Sequence, residues 1–236
     1  MRLLPGLLAV ALFLGVVGLF WRTSFPSALP TLVQDSPSFR VALTFDDGPR
    51  PEFHPTLLEL LDREGVRATF FFTGQAVERH PELVAETARR GHEVESHGYS
   101  HHPLTDLDAL ELGEEISRPA RAIARVTGRW PRFLRPPGGF FDEEVAREAR
   151  RQGQMLALWT NVGASDLELP PEVFLEALPR YVFPGAVIML HADRPGVVRL
   201  TEEVVGIIRR KGLEPVPLGL MKAPVPSGPA PPPPSG

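Results

Sequence analysis

The 236-residue chain contains no cysteine. That absence excludes a disulfide framework and any thiolate-ligated metal centre, which leaves histidine and carboxylate side chains as the only ligands for an ion. Arginine supplies 23 of the 25 basic residues, lysine only two, and Asn161 is the single asparagine. Both scarcities are compatible with a GC-rich genome and with adaptation to heat, under which thermolabile asparagine is depleted. A basic excess is also missing. From residue 40 to 220, 22 basic side chains stand against 28 acidic ones, which argues against nucleic acid, whose phosphates call for basic patches. The glycine signature of dinucleotide-binding folds is absent as well.

Charge is missing from Leu3 to Trp21, a 19-residue run behind Arg2 that is long enough to cross a bilayer as a helix. A cleaved signal peptide competes with an uncleaved anchor. Pro26 would occupy the −3 position before Ala28, which disfavours cleavage, so residues 1–23 are expected to be a single-pass membrane anchor. The domain behind it would then lie outside the cytoplasm, or be secreted if cleavage does occur. Residues 24–39 read as a linker. The tail, 221–236, carries seven prolines among small residues and has no means of building a core. The 181 residues from 40 to 220 suit one domain, expected to be a monomer.

Within that stretch, apolar runs alternate with helical patterns. Strands are expected at 41–45, 68–73, 93–96, 132–134, 154–159, 186–190 and 213–216. Helices are expected at 55–62, 81–90, 106–126, 142–152, 171–180 and 198–211, several closed by glycine. The long fourth segment places Leu107, Leu110, Ile116, Ala120 and Ile123 at helical spacing. Seven strands alternating with helices imply an α/β fold with a parallel sheet, open or closed as a barrel. Chemistry in such folds sits at the C-terminal ends of the strands. The residues there are Asp46-Asp47, Thr73-Gly74, His97, Arg135, Trp159-Thr160 and His191, a polar ring that packing does not explain.

Two adjacent buried carboxylates repel, so one of the Asp46-Asp47 pair must be neutralised, hydrogen-bonded or metal-bound. Taken alone, the pair reads equally as a surface Asp-Gly turn. His97 and His101 stand four apart, so one helical turn would set both imidazoles on one face; His102 would point elsewhere. With a strand-end aspartate they make a two-histidine, one-carboxylate set, used by zinc hydrolases and by non-haem iron oxygenases. After the Pro136-Pro137 pair, which has no N–H, Gly138 is the first backbone donor available to an oxyanion. His191 titrates in the range suited to protonating an amine.

Thr44-Phe-Asp-Asp-Gly-Pro49, His97-Gly-Tyr-Ser-His101, Arg135-Pro-Pro-Gly138 and Leu190-His191 resemble, in order, the motifs of the polysaccharide deacetylase family (the NodB-homology domain of carbohydrate esterase family 4). The likeness spans roughly residues 40–220. It implies a distorted, incomplete (β/α) barrel of seven or eight parallel strands that removes N-acetyl groups from a polymer of amino sugars with a divalent metal. The metal implied is zinc first, with cobalt, nickel or manganese as alternatives. By the resemblance Asp47, His97 and His101 would hold the metal, and Asp46 would be the general base, paired with Arg135. His191 would be the general acid, oriented by Asp166. Gly138 is expected to meet the substrate through its backbone, and Trp159 reads equally as lining the site and as packing. An O-acetyl esterase or small-molecule amidase on the same site, and a silent membrane-tethered carbohydrate-binding domain, are the alternatives.

The chain departs from the family pattern at Gly98, where a serine or threonine usually follows the first histidine, so that ligand needs another partner. Gly138 replaces a tyrosine, Leu167 a tryptophan and Glu95 a small residue, which places the differences in the substrate groove. His54, His80 and His92 join no constellation and read as surface or capping residues. Phe70, Phe71, Phe72, Phe140 and Phe141 read as packing. The acidic balance of the domain favours a neutral glycan over a polyanion.

Overall fold

The computed structural model describes residues 39–161, 166 and 169–221. The expected anchor, the expected linker apart from Phe39, and the proline-rich tail apart from Met221 lie outside the described residues. Among those described, no helix is long and apolar enough to cross a membrane.

Seven strands are present among the described residues: β1 (Arg40–Asp47), β2 (Thr69–Phe72), β3 (Glu93–Ser96), β4 (Phe133–Leu134), β5 (Met155–Leu156), β6 (Val187–His191) and β7 (Glu214–Val216). Every pairing is parallel, in the order β5-β4-β3-β2-β1-β6, with β7 on the first residues of β1. The helices are α1 (His54–Arg63), α2 (Gly74–Arg79), α3 (Pro81–Arg89), α4 (Ala109–Thr127), α5 (Glu143–Arg151), α6 (Pro171–Ala177) and α7 (Val197–Arg210).

The period-two alternation of a strand sorts side chains onto two faces. Val41, Leu43, Phe45, Phe70, Phe72, Ile188 and Leu190 face outward, packed with Leu57 and Leu61 of α1 and with Val204 and Ile208 of α7. Ala42, Phe71, Phe133, Ala157 and Val187 face inward as a smaller cluster. Burial on both faces explains why β2 reads Thr-Phe-Phe-Phe with no exposed position.

The sheet curls without closing through strand pairing. Beyond β5, the Thr160 N–H donates to the Val187 carbonyl at 2.8 Å. The Asn161 side-chain amide donates to the Met189 carbonyl at 3.0 Å and accepts from the Met189 N–H at 2.8 Å. One side chain therefore imitates a strand partner and bridges the gap. The result is the incomplete (β/α) barrel expected.

Differences from the expected elements have local causes. The fifth strand ends at Leu156 rather than Trp159 because Arg135 takes the next two carbonyls, Ala157 at 3.2 Å and Leu158 at 3.3 Å. Helix α2 was not expected; its six residues are too few to show a period, and Thr73 caps it by accepting from the Ala76 N–H. Helix α4 starts three residues later than expected, because Asp108 and Glu111 form a capping box. Leu110, expected on the apolar face, sits in the first turn and is 80% exposed.

Candidate active site

The inward column of each strand runs on into the site. Asp46 follows Ala42 and Thr44 on β1, His97 follows β3, Arg135 follows Phe133, and His191 ends β6. Asp46 and His191 are register partners on neighbouring strands. Asp47 would point to the opposite face of a regular strand. Instead its backbone is left-handed, with φ of 67°, a conformation that aspartate tolerates better than most residues, and its carboxylate joins the histidines.

Asp47 Oδ1 lies 3.6 Å from His97 Nε2 and 3.4 Å from His101 Nε2. The two imidazoles meet edge to face, with centroids 5.0 Å apart, and all three ligand atoms fall within 4.8 Å of one another. The expected helical turn between the histidines is not what joins them. Residues 97–101 form a loop in which Gly98 and His101 are left-handed, with φ of 72° and 68°. His97 Nδ1 donates to the Arg135 carbonyl at 2.8 Å, which leaves the Nε2 lone pair facing Asp47. Burial pushes the His97 pKa down to about 4, so the imidazole is neutral at physiological pH. A neutral Nε2, a second imidazole and a carboxylate are the donor set that a divalent ion of the zinc type takes. The His101 side chain is 48% exposed, so that side of the set faces solvent.

Asp46 and Arg135 form a buried pair, 2% and 0% exposed, with Nη1 donating to Oδ1 at 2.5 Å. Burial raises the Asp46 carboxyl pKa, with Arg135 and His191 opposing the rise. The other carboxylate oxygen, Oδ2, is 3.9 Å from His97 Nε2, beside the candidate ligands and outside their cluster. Arg135 is held in turn by the Thr44 hydroxyl at 2.9 Å and flanked by the Phe71 ring, 4.1 Å away, and the Trp159 ring, 5.6 Å away. Arg135 is thus a fully buried cation held on several sides.

His191 Nδ1 donates to Asp166 Oδ1 at 2.8 Å, and the His191 N–H donates to Oδ2 at 2.8 Å. Burial alone would lower the His191 pKa, but the hydrogen bond and charge of Asp166 outweigh it and hold the imidazole above its ordinary value. Arg194, which the sequence did not suggest, adds a second cation 3.7 Å from Asp166.

Gly138 is left-handed, with φ of 65°, and is exposed. A Cβ added there would meet the Phe140 ring at 2.7 Å, and one on Gly139 would meet the Trp159 ring at 2.8 Å. Two glycines thus let aromatic rings lie on the loop backbone. Phe140 is 55% exposed, which corrects its reading as packing; Phe141 packs against the core as expected. Phe70, Phe71 and Phe72 are fully buried, and Trp159 is partly buried. A cavity of about 270 Å³ opens beside Asp47, Arg50, His101 and Asp193. A larger cavity, about 880 Å³, lies near the start of β3 and holds none of these site residues.

Three further residues depart from the sequence reading. His54 and His92 are buried rather than superficial, T-stacked against Phe70, and burial lowers their pKa values to about 3 and about 4. Glu95 faces inward beneath the site as the register partner of Phe71. Burial pushes its pKa up to about 8, although it accepts from the Phe133 and Arg132 N–H groups.

The polysaccharide deacetylase family model matches residues 34–157. A peptidoglycan-N-acetylglucosamine deacetylase of Bacillus cereus is 32% identical over 176 residues, covering 73% of this chain; the chain spans 64% of the length of that relative. A solved peptidoglycan N-acetylglucosamine deacetylase superposes with a TM-score of 0.75 at 31% identity, over 80% of this chain and 91% of its own. A mutant of a CE4 family pseudoenzyme with restored enzymatic activity superposes equally well, with a TM-score of 0.75 at 25% identity, over 82% of this chain and 72% of its own. On the family match, supported by the fold, this chain belongs to the polysaccharide deacetylase family.

Proposed function

We propose that this protein is a divalent-metal-dependent hydrolase that removes N-acetyl groups from a polymer of N-acetylated amino sugars, peptidoglycan or a chitin-like glycan. The observation that carries the reading is the pairing of Asp46 with His191. A buried carboxylate fixed by Arg135 and an imidazole fixed by Asp166 face each other from register-matched strands, with Asp47, His97 and His101 beside them. The restored-activity mutant of a fold neighbour shows that the fold by itself does not decide activity. Here the grouping of Asp46, Arg135, His191 and Asp166 supports an active enzyme.

Asp47, His97 and His101 would hold the ion, which when bound polarises an amide carbonyl and makes water acidic near neutral pH. Asp46, held by Arg135, whose charge favours the ionised form, takes a proton from the attacking water. Gly138 is exposed, and its N–H, the first backbone donor after Arg135, would serve the oxyanion. His191, protonated under the influence of Asp166, gives its proton to the amine as the C–N bond breaks, so that acetate and a free amine leave. The expected apolar anchor at Leu3–Trp21 supports a site of action outside the cytoplasm, beside wall polymers. The two-histidine, one-carboxylate set supports zinc.

The test is acetate release from N-acetylglucosamine oligomers, with and without a chelator, by wild type and Asp46→Asn. Chelator should abolish release, and Asp46→Asn should abolish it with metal content unchanged. Full turnover in Asp46→Asn would remove the base assignment. A wild type that binds oligomers and never releases acetate would favour a binding domain.

A further inference from the structure

The loop that carries His101 is conformationally unfavourable. Of its four residues, Gly98-Tyr-Ser-His101, two are left-handed, and for histidine that costs roughly 1–2 kcal/mol. It is gripped from both sides. The Gly98 and Tyr99 carbonyls accept from the Gly74 and Gln75 N–H groups, at 2.9 and 3.0 Å. The donors of the loop converge on one atom, Glu115 Oε1 of α4. The Tyr99 N–H reaches it at 3.0 Å, the Ser100 N–H at 2.6 Å and the Ser100 hydroxyl at 2.8 Å. The Tyr99 ring turns outward, its hydroxyl donating to Glu78 at 2.9 Å with the Arg118 guanidinium 3.7 Å above the ring.

The three candidate ligands are supported unequally. Asp47 ends a central strand, and His97 follows one and is locked by the Arg135 carbonyl. His101 comes from the loop alone, with its side chain half exposed. We propose that Glu115 is a positioning residue for the ion: its carboxylate holds the loop so that His101 already meets Asp47 and His97 before binding. It supplies, from another helix, the bracing that Gly98 has no side chain to give. Convergence of three donors from two consecutive loop residues onto one oxygen points to the loop as what Glu115 serves. This inference rests on Asp47, His97 and His101 being the ligand set, not on the reaction assigned to them.

The experiment measures the zinc dissociation constant of the full chain by competition with a chromogenic chelator, for wild type, Glu115→Ala, Glu115→Gln, His101→Ala and the double variant Glu115→Ala/His101→Ala. Supporting groups of this kind change metal affinity about 10- to 100-fold. Glu115→Ala is expected to weaken binding by that factor, and Glu115→Gln, which keeps an acceptor oxygen, by only a few-fold. The Glu115→Ala effect should vanish once His101 is gone. In metal-free protein, amide exchange at Tyr99 and Ser100 should accelerate in Glu115→Ala, whereas exchange in β1 should not. Unchanged zinc affinity in Glu115→Ala, or effects that simply add in the double variant, would overturn the inference. Absence of zinc binding in wild type would overturn the ligand set and this inference with it. Zinc binding without acetate release would sink the proposed reaction alone.

Discussion

Replacing Arg135 with methionine removes the charge at the centre of the barrel and keeps an unbranched chain between the Phe71 and Trp159 rings. Asp46 is then a carboxylate, 2% exposed, with no cation in contact. The Ala157 and Leu158 carbonyls also lose their donor. Unit charges about 4 Å apart interact by roughly 4 kcal/mol at an effective dielectric of about 20. Breaking a buried pair from one side costs about 3–5 kcal/mol. Arg135→Met should therefore lose about 3–5 kcal/mol in urea unfolding at pH 7. For a domain of this size each kcal/mol lowers Tm by about 2–4 °C, a total drop of about 6–20 °C.

The sign with pH is also set. Without arginine the Asp46 pKa, already raised by burial, rises further, so protonation on acidification relieves the unpaired charge, and the deficit should shrink as pH falls. Adding Asp46→Asn to Arg135→Met removes the orphaned charge and should recover a large part of the loss at pH 7. If Arg135→Met costs under about 1 kcal/mol, or if Asp46→Asn recovers nothing, the pair is not the electrostatic centre of this barrel.

Asp166→Asn should lower the His191 pKa, because the charge and hydrogen bond that raise it are weakened. The alkaline limb of the kcat profile should then move to lower pH, since the acid loses its proton earlier; an unmoved limb would mean that His191 is not the group titrating. Glu95 titrates near 8 in the fold against an ordinary value of 4.5, so the folded state holds the extra proton between those limits. Stability should fall as pH rises from about 4.5 to about 8, by at most about 1.4 kcal/mol per pH unit. Glu95→Gln should flatten that slope and be the more stable protein at pH 8–9, measured by urea midpoints; parallel curves would refute it.

Much of the candidate site was legible because its residue types stand at strand ends. Asp46, Asp47, His97, Arg135 and His191 stand at the ends of the expected strands, and the parallel alternation implied that those ends converge. Asp166, named from the sequence as a partner of His191, is in contact with it. Where local periodicity was the guide, the reading fell short. His97 and His101 are joined by left-handed backbone rather than a helical turn, because a loop held from outside need not follow its own propensity.

The sequence by itself determined the α/β alternation, the cysteine-free donor set and the family, since hydrophobic period and side-chain chemistry are properties of the chain. Only the tertiary structure decided which neighbours those groups have. Glu115 reaches the His101 loop from the helix that follows it, Phe140 lies over Gly138, Asn161 bridges the gap in the barrel, and Glu95 is buried beneath the site. Each is a contact between segments far apart in sequence or a consequence of left-handed glycine. Such contacts arise when the curled sheet folds its inward column together, and no spacing along the chain records them.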